Sequence, residues 1–304
     1  MAEPRVTGLR SIEYGVPDVA GTAAFYETRW CLAPLTRKNG VHYFRATGPE
    51  QYIVALHERP RAGVVQVNFA APDAAAVDAL HARARAFGAR EVSQPAALSS
   101  PGGGYGFTFE DPDGFRYGVS ADVQGHADAT MASDRPFKLS HVVLNSERVD
   151  AQTEYFCDLL GFRVSDRTER MHFIRCSADH HSVAFARMGG PSLNHTAFEV
   201  PDFDALMRGA GRMKQAGFTC DWGVGRHGPG NNIYTYFREP NGLVVEYTAE
   251  VEQVDDSYPV GGPEDWAQRV GGPDRWGFAE PPSEALRKAM SGVPQPPAAK
   301  PKAA

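Results

Sequence analysis

The sequence predicts an α+β protein of two similar halves, each built from a pair of βαβββ modules that form a cupped mixed sheet, followed by a C-terminal tail. Three observations carry this. The chain repeats itself at an offset near half its folded length. Four amphipathic stretches carry helix start and stop signals at matching places. Short alternating apolar runs, closed by Gly, Pro and Asn, fill the intervals between them.

The repeat is read first. Leu9–Tyr26 can be laid on Leu139–Phe156 at an offset of 130 (139 − 9), and Val41–Arg45 falls on Met171–Arg175 at the same offset. Val65–Asp73 falls on Asn194–Asp202 at 129 (194 − 65), and Phe109–Gly114 on Phe237–Gly242 at 128 (237 − 109). Single-residue slips are absorbed in loops. The expected organisation is 1–125 for a first domain, 135–250 for a second, and 251–304 for a tail rich in aromatic residues and proline, its end from 293 disordered. Segment 120–136 has few large apolar side chains and reads as the connection between halves.

Within each half a strand leads to a helix and then to three strands, twice over. The expected helices are Asp18–Trp30, Asp73–Phe87, Val149–Leu160 and Asp202–Ala216. Asp18, Asp73 and Asp202 stand where a side-chain oxygen would cap a helix N-terminus, and Gly88, Gly161 and Gly217 where a chain leaves one. Gly102–Gly104 and Gly223–Gly230 read as glycine-rich loops before the last hairpin of each half. That hairpin in the second half, Ile233–Phe237 and Leu243–Tyr247 around Glu239-Pro-Asn-Gly242, carries His227, Tyr236 and Glu246 in or beside it.

Two upstream runs, Leu139-Ser-His141-Val-Val-Leu-Asn and Leu193-Asn-His195-Thr-Ala-Phe-Glu-Val, each place one histidine inside a strand. A lone strand histidine is more often a hydrogen-bonded core residue, and a lone Glu246 a surface carboxylate. Together, two imidazoles and one carboxylate on three strands make a facial set suited to a divalent transition metal, with positions left open. The first half is an internal control. By the repeat, His141 matches Ser11, His195 matches Gln66 and Glu246 matches Gly118, while His181, His227 and Tyr236 match Gln51, Ser99 and Thr108. Shared residues such as Phe69/Phe198 and Pro112/Pro240 are scaffold types, and His42 and His172, which match each other, read as structural. One half is expected to hold a site and the other to support it.

The run Gly225-Arg-His227, Tyr236, Glu239-Pro-Asn-Gly242 and Glu246 resembles the signature of the type I extradiol ring-cleaving dioxygenases of the vicinal oxygen chelate superfamily, and the resemblance covers about 5–250. Thr235 departs from it, standing where the family usually has an apolar residue. The resemblance implies the two-domain vicinal oxygen chelate fold. It implies iron(II), or manganese(II) as in some members, on His141, His195 and Glu246. It implies His181, rather than its neighbour His180, as an acid/base group, and His227 and Tyr236 as side chains facing substrate. The implied reaction inserts both atoms of O2 into a catechol-like aromatic diol and opens the ring beside the diol, as in catechol 2,3-dioxygenase-like enzymes of aromatic catabolism. Homo-oligomers, dimers or tetramers, are usual in the family.

Three other functions share the scaffold: cleavage of a hydroquinone or polyhydroxylated ring, a metal-dependent glyoxalase-like isomerisation, and a non-enzymatic small-molecule-sequestering resistance module. Glyoxalase-like sites typically have more carboxylate ligands, and the sequestering modules lack the triad. Fold alone does not choose among them. A net charge of −6 with no basic run argues against nucleic acid as a partner. Cys31, Cys157, Cys176 and Cys220 are scattered and read as free thiols; with no apolar run long enough for a membrane, the expected setting is cytoplasmic. The tail is expected either to pack irregularly on the second domain or to serve as a lid or subunit contact. Arg226 and Arg238 are candidates to meet a substrate carboxylate.

Overall fold

The computed structural model describes residues 3–132, 134–267 and 274–293. The first half runs β1 Gly8–Val16, α1 Val19–Thr28, β2 Ala33–Lys38, β3 Val41–Arg45 and β4 Val54–Glu58, then β5 Gly63–Ala70, α2 Ala74–Ala86, β6 Ala96–Ala97, β7 Tyr105–Glu110 and β8 Arg116–Ala121. The second runs β9 Lys138–Asn145, α3 Val149–Leu160, β10 Arg163–Arg167, β11 Met171–Arg175 and β12 Val183–Ala186, then β13 Ser192–Glu199, α4 Phe203–Gln215, β14 Trp222–Arg226, β15 Ile233–Arg238 and β16 Val244–Ala249. Two short helices follow, α5 Pro263–Ala267 and α6 Glu284–Met290. The βαβββ order therefore occurs four times.

Each half forms one eight-stranded mixed sheet, and the strand orders β2-β3-β4-β1-β5-β8-β7-β6 and β10-β11-β12-β9-β13-β16-β15-β14 are the same path traced twice. The caps explain where the helices start. Asp18, Asp73 and Asp202 each accept the amide of the residue three further on, at 2.8 Å. Gly88, Gly161 and Gly217 follow the helices with φ of 71°, 72° and 86°, a left-handed turn that suits glycine.

One face of each sheet turns inward on a single apolar core that spans both halves. Alternation along the strands makes this possible: in β16, Val245, Tyr247 and Ala249 enter that core, while Glu246 and Thr248 point the other way. Trp30, just past α1, stacks flat on Tyr247 at 3.8 Å between ring centres, and Tyr26 packs on Phe198. From the other side Phe156 of α3 packs edge-on against Phe69 and Tyr117 of the first sheet. Each helix packs chiefly on strands of its own half, and these aromatic contacts join the two halves into one core. This layer is built of apolar and aromatic side chains, and the candidate site residues lie on the opposite, outward face of the second sheet.

Three expectations need correction. The segment Gly223–Gly230 is not wholly a loop: β14 includes Gly223 and Gly225 and pairs antiparallel with β15. A side chain at Gly225 would meet the Tyr234 hydroxyl at 2.5 Å, so glycine lets this strand lie against an aromatic ring. Two counterparts across the repeat also shift. Val142 pairs with Val183 where Ile12 pairs with Val54, so Tyr52, not Gln51, stands opposite His181. The His227 amide bonds the Asn232 carbonyl as the Leu98 amide bonds that of Gly104, so Leu98 replaces Ser99 as the counterpart of His227. In each case a loop absorbed the slip one residue from where sequence alignment put it.

Candidate metal centre

His141, His195 and Glu246 come from β9, β13 and β16, which are neighbours in the second sheet. Ala197 of β13 pairs with His141 on one side and Glu246 on the other. The three positions form one cross-strand row, and His195, two residues from Ala197, shares its face. Ala197 puts no more than a methyl group at the centre of the row, where a longer side chain would take up room. Around that room the three ligand-type atoms lie within 4.8 Å of one another, and all three residues are buried.

The donor set fits a cation. Glu246 Oε2 lies 3.3 Å from His141 Nε2 and 3.2 Å from His195 Nε2, yet it is fully buried and has no hydrogen-bond partner. Burial holds the His195 imidazole below its usual pKa despite the nearby carboxylate, which keeps the ring neutral. Its Nδ1 sits 2.8 Å from the Asn194 side-chain oxygen and must donate there, so Nε2 presents a lone pair to Glu246. Burial pushes the Glu246 carboxyl up, and only positive charge in the place of His141 and then His195 pulls it well below the ordinary range. A carboxylate oxygen facing ring nitrogens with no proton between is unfavourable by itself and becomes favourable with a divalent ion between them. The other oxygen, Oε1, is turned toward Asn232, whose amide nitrogen lies at 3.4 Å and also bonds Thr248 at 2.8 Å.

The three further candidates converge on the same place. His181, His227 and Tyr236 line, with His141 and His195, a cavity of about 410 Å³ on the outward face of the sheet. His181 packs 4.2 Å from His141 between ring centres. Burial, and then His141, hold its pKa well below the usual value, so it is neutral. His180 takes the opposite direction: its Nε2 lies 2.7 Å from Asp166, both side chains fully buried, and its Nδ1 is 3.0 Å from His181 Nδ1. His181 therefore keeps its Nε2 for the cavity. Tyr236 Oη and His227 Nε2 are 3.0 Å apart, and His227 stacks on Tyr234 at 3.9 Å. Burial and then Glu246 raise the Tyr236 pKa far above normal, so this phenol stays protonated. Thr235 lies on the reverse side of the strand, against Cys220, and bears on none of this.

Sequence reasoning missed the residues behind these. Asp166, which also accepts from Tyr258 and Gly261 of the tail, gave no signal beyond being an acidic residue in a strand. Asn194 adjoins His195 in sequence, and a polar residue flanking a strand histidine could have flagged it. Trp222 and the tail residues Trp266 and Met290 form apolar walls of the cavity. The tail thus packs on the second sheet: Leu286, Ala289 and Met290 of α6 cluster with Tyr234, Tyr236 and Val244. Residues 268–273 and the segment from 294 lie outside the described residues. Neither Arg226 nor Arg238 lines the cavity. Arg226 ion-pairs with Glu250 and stacks on Trp276, and Arg238 ion-pairs with buried Asp221 at 2.8 Å.

Comparison with known proteins gives the family of the chain. The model of the Glyoxalase/Bleomycin resistance protein/Dioxygenase superfamily matches residues 138–247, the stretch that holds all six candidate side chains. A solved Mn(II)-bound glyoxalase from Novosphingobium aromaticivorans is 39% identical, superposes with a TM-score of 0.86, and is matched over 93% of this chain and 94% of that one. The chain belongs to this superfamily. Within it, metapyrocatechase 2 of Cupriavidus necator is 33% identical over 131 residues, and the chain spans only 41% of that relative's length. Biphenyl-2,3-diol 1,2-dioxygenase of Metapseudomonas furukawaii is 24% identical, with 92% of this chain and 96% of that relative covered. The fold is that of the extradiol dioxygenases in this superfamily. Among the described residues no helix is long and apolar enough to cross a membrane.

Proposed function

We propose that the protein is an extradiol dioxygenase that uses iron(II), with manganese(II) as the alternative, to open a catechol-like aromatic ring beside its diol. The observation that carries this reading is the convergence of His141, His195 and Glu246 at the floor of a largely apolar cavity that His181, His227 and Tyr236 also face. Two neutral nitrogens and one carboxylate would hold the metal on one side only, leaving the cavity side for ligands. When bound, the metal would supply acidification of the diol and a path for electrons from the ring to O2. The remaining work falls to the chain.

The aromatic walls, Trp222 and Trp266 among them, accept a flat ring and exclude water. Tyr236 and His227 share a hydrogen bond at a place where a diol oxygen can join it, so they fix the ring's orientation. His181 is neutral and has one nitrogen committed to His180, which leaves Nε2 to take a proton from the diol and return it when the O–O bond breaks. Both oxygen atoms end in the ring-opened product, and no organic cofactor takes part.

The test is anaerobic loading with iron(II) or manganese(II), followed by a panel of catechols with oxygen uptake and product absorbance recorded together. A yellow ring-opened product matched one to one with oxygen consumed is expected. Metal bound at one per chain with no catechol-dependent oxygen uptake would remove this reading. A second reading, a glyoxalase-like isomerisation, is favoured by the likeness to the Mn(II)-bound glyoxalase. The single carboxylate of the triad and the three side chains above it speak for ring cleavage instead. Turnover of a hemithioacetal without oxygen would reverse that preference. Exposed Phe203, Met207, Trp276 and Phe278 support a homo-oligomer as part of the same proposal, to be checked by light scattering.

A further inference from the structure

A line of side chains behind the metal centre ends on the C-terminal helix. The Asn145 amide nitrogen donates to the Met290 carbonyl at 2.6 Å and to Ser192 Oγ at 2.9 Å. The Asn194 amide nitrogen donates to Asn145 Oδ1 at 2.9 Å, and His195 Nδ1 lies 2.8 Å from Asn194 Oδ1. Asn145 and Asn194 are each less than a tenth exposed.

The direction of every bond in this line follows from its outer end. A backbone carbonyl can only accept. The Met290 carbonyl therefore orients the Asn145 amide with nitrogen toward the helix and oxygen toward Asn194. Ser192 agrees, because its hydroxyl donates to the Gly190 carbonyl and leaves its oxygen to accept from Asn145. Asn145 Oδ1 then requires the Asn194 nitrogen, and Asn194 is left with only its oxygen for His195. A neutral imidazole meeting an acceptor at Nδ1 carries its proton there, and Nε2 faces Glu246 as a lone pair.

We propose that Asn145 and Asn194 are positioning residues that fix His195 in its metal-binding tautomer, anchored on the Met290 carbonyl, so that α6 is a working part of the metal centre rather than only a cover. The consequence for metal affinity rests on the metal reading above; the tautomer does not.

The experiment separates the two. Long-range 1H–15N correlation on the full-length, metal-free protein reports which ring nitrogen of each histidine is protonated, and His195→Gln identifies the His195 signals by their loss. The parent should show the Nδ1–H form. Asn194→Leu should lose it for the Nε2–H form or a mixture, whereas Asn194→Asp, which keeps an acceptor, should retain it. An Nε2–H form in the parent, or an unchanged Nδ1–H form in Asn194→Leu, would overturn the proposal. If Asn194→Leu does not fold, Asn145→Leu carries the same test one step back, and a His195 spectrum identical to the parent's would again count against it. By metal titration, Asn194→Leu should bind ~10–100-fold more weakly. Asn145→Leu should lose less, and the double variant no more than Asn194→Leu alone, as groups acting in one line should. A tautomer that switches in a parent that binds no metal would leave the relay standing and remove the metal centre.

Discussion

The two halves share a strand order, a set of helix caps and a core, and differ in what fills the outward face of the sheet. In the second half Ala197 sits at the centre of the row between His141 and Glu246. In the first half the same place, between Ser11 and Gly118, holds Asn68. Asn68 donates to Ser11 and Glu13 at 3.0 Å and accepts from Gln66 at 2.6 Å, while Glu13 also meets His57 at 2.7 Å. The polar groups there satisfy one another, whereas Glu246 Oε2 is left without a partner. In the first cup Asn68 is a hydrogen-bonded plug at the floor of a cavity of about 230 Å³, whereas the floor of the second cup, about 410 Å³, keeps an unmet acceptor for a cation. The lesson is that a metal centre on this scaffold needs ligands that their neighbours leave unpaired, and a cavity lined by polar groups is not enough.

The largest expected effect comes from removing the charge that makes the difference. Glu246→Gln should bind the divalent metal more than ~100-fold more weakly, beyond the loss typical of a supporting residue, with turnover falling in parallel. Metal analysis after dialysis reads the first and oxygen uptake the second; retention of one metal per chain would break the comparison.

Ala197→Asn sharpens it by importing the plug. The new amide should occupy the space between the ligands and weaken metal binding by roughly 10–100-fold with all three ligands intact. The reverse transplant should fail. Ser11→His, Gln66→His and Gly118→Glu together should still give one metal per chain, because a side chain at 118 would meet Asn68 Oδ1 at 2.2 Å. Two metals per chain would show that ligands alone suffice.

His181 and its counterpart Tyr52 offer a contrast in rate. His181→Asn should lower kcat by roughly 100-fold or more with metal content kept, as expected when a proton-transfer group is lost. Tyr52→Phe should leave kcat unchanged. Equal effects in steady-state assays would remove the distinction between halves.

The smallest effect concerns the turn that the halves have in common. Glu239 and Asp111 occupy matching turns, are fully buried, and have carboxyls raised by burial, Glu239 from 4.5 to about 7. The folded state thus holds this proton more tightly than the unfolded chain does. Below pH 4.5 both states are protonated and nothing is lost. As pH rises to about 7 the unfolded chain ionises first, and stability falls by at most ~3 kcal/mol before levelling off. Glu239→Gln should flatten that part of a denaturation profile taken across pH 4–8, and Asp111→Asn should act in the same direction. A profile unchanged by Glu239→Gln would show that the carboxyl is already ionised in the fold.

Much of this was legible in the sequence because it is local or periodic. Asp18, Asp73 and Asp202 announce helices through a capping bond three residues long. Alternation in β16 sends Tyr247 inward and Glu246 outward whatever the rest of the chain does. The repeat does the most, since a first half without histidines at the matching positions marks the second as special. The family resemblance chose His181 over His180, and the two do point to different partners.

What local pattern could not carry is whatever joins segments far apart. Arg226 and Arg238 look like free cations in the sequence, and only folding brings Glu250 and Asp221 to them. One-residue slips in loops moved the counterparts of His181 and His227, because strand register is set by pairing partners that the sequence does not name. The sequence by itself determined the modules, the sheet faces and the identity of the metal-type ligands, because each follows from spacing along one strand or helix. Only the tertiary structure decided that small Ala197 stands among the ligand atoms where Asn68 ties up its polar neighbours. It alone brought the tail over the cavity and ran a hydrogen-bond line from Met290 to His195, because closure, exclusion of water and the direction of a hydrogen bond depend on atoms distant in the chain meeting in space.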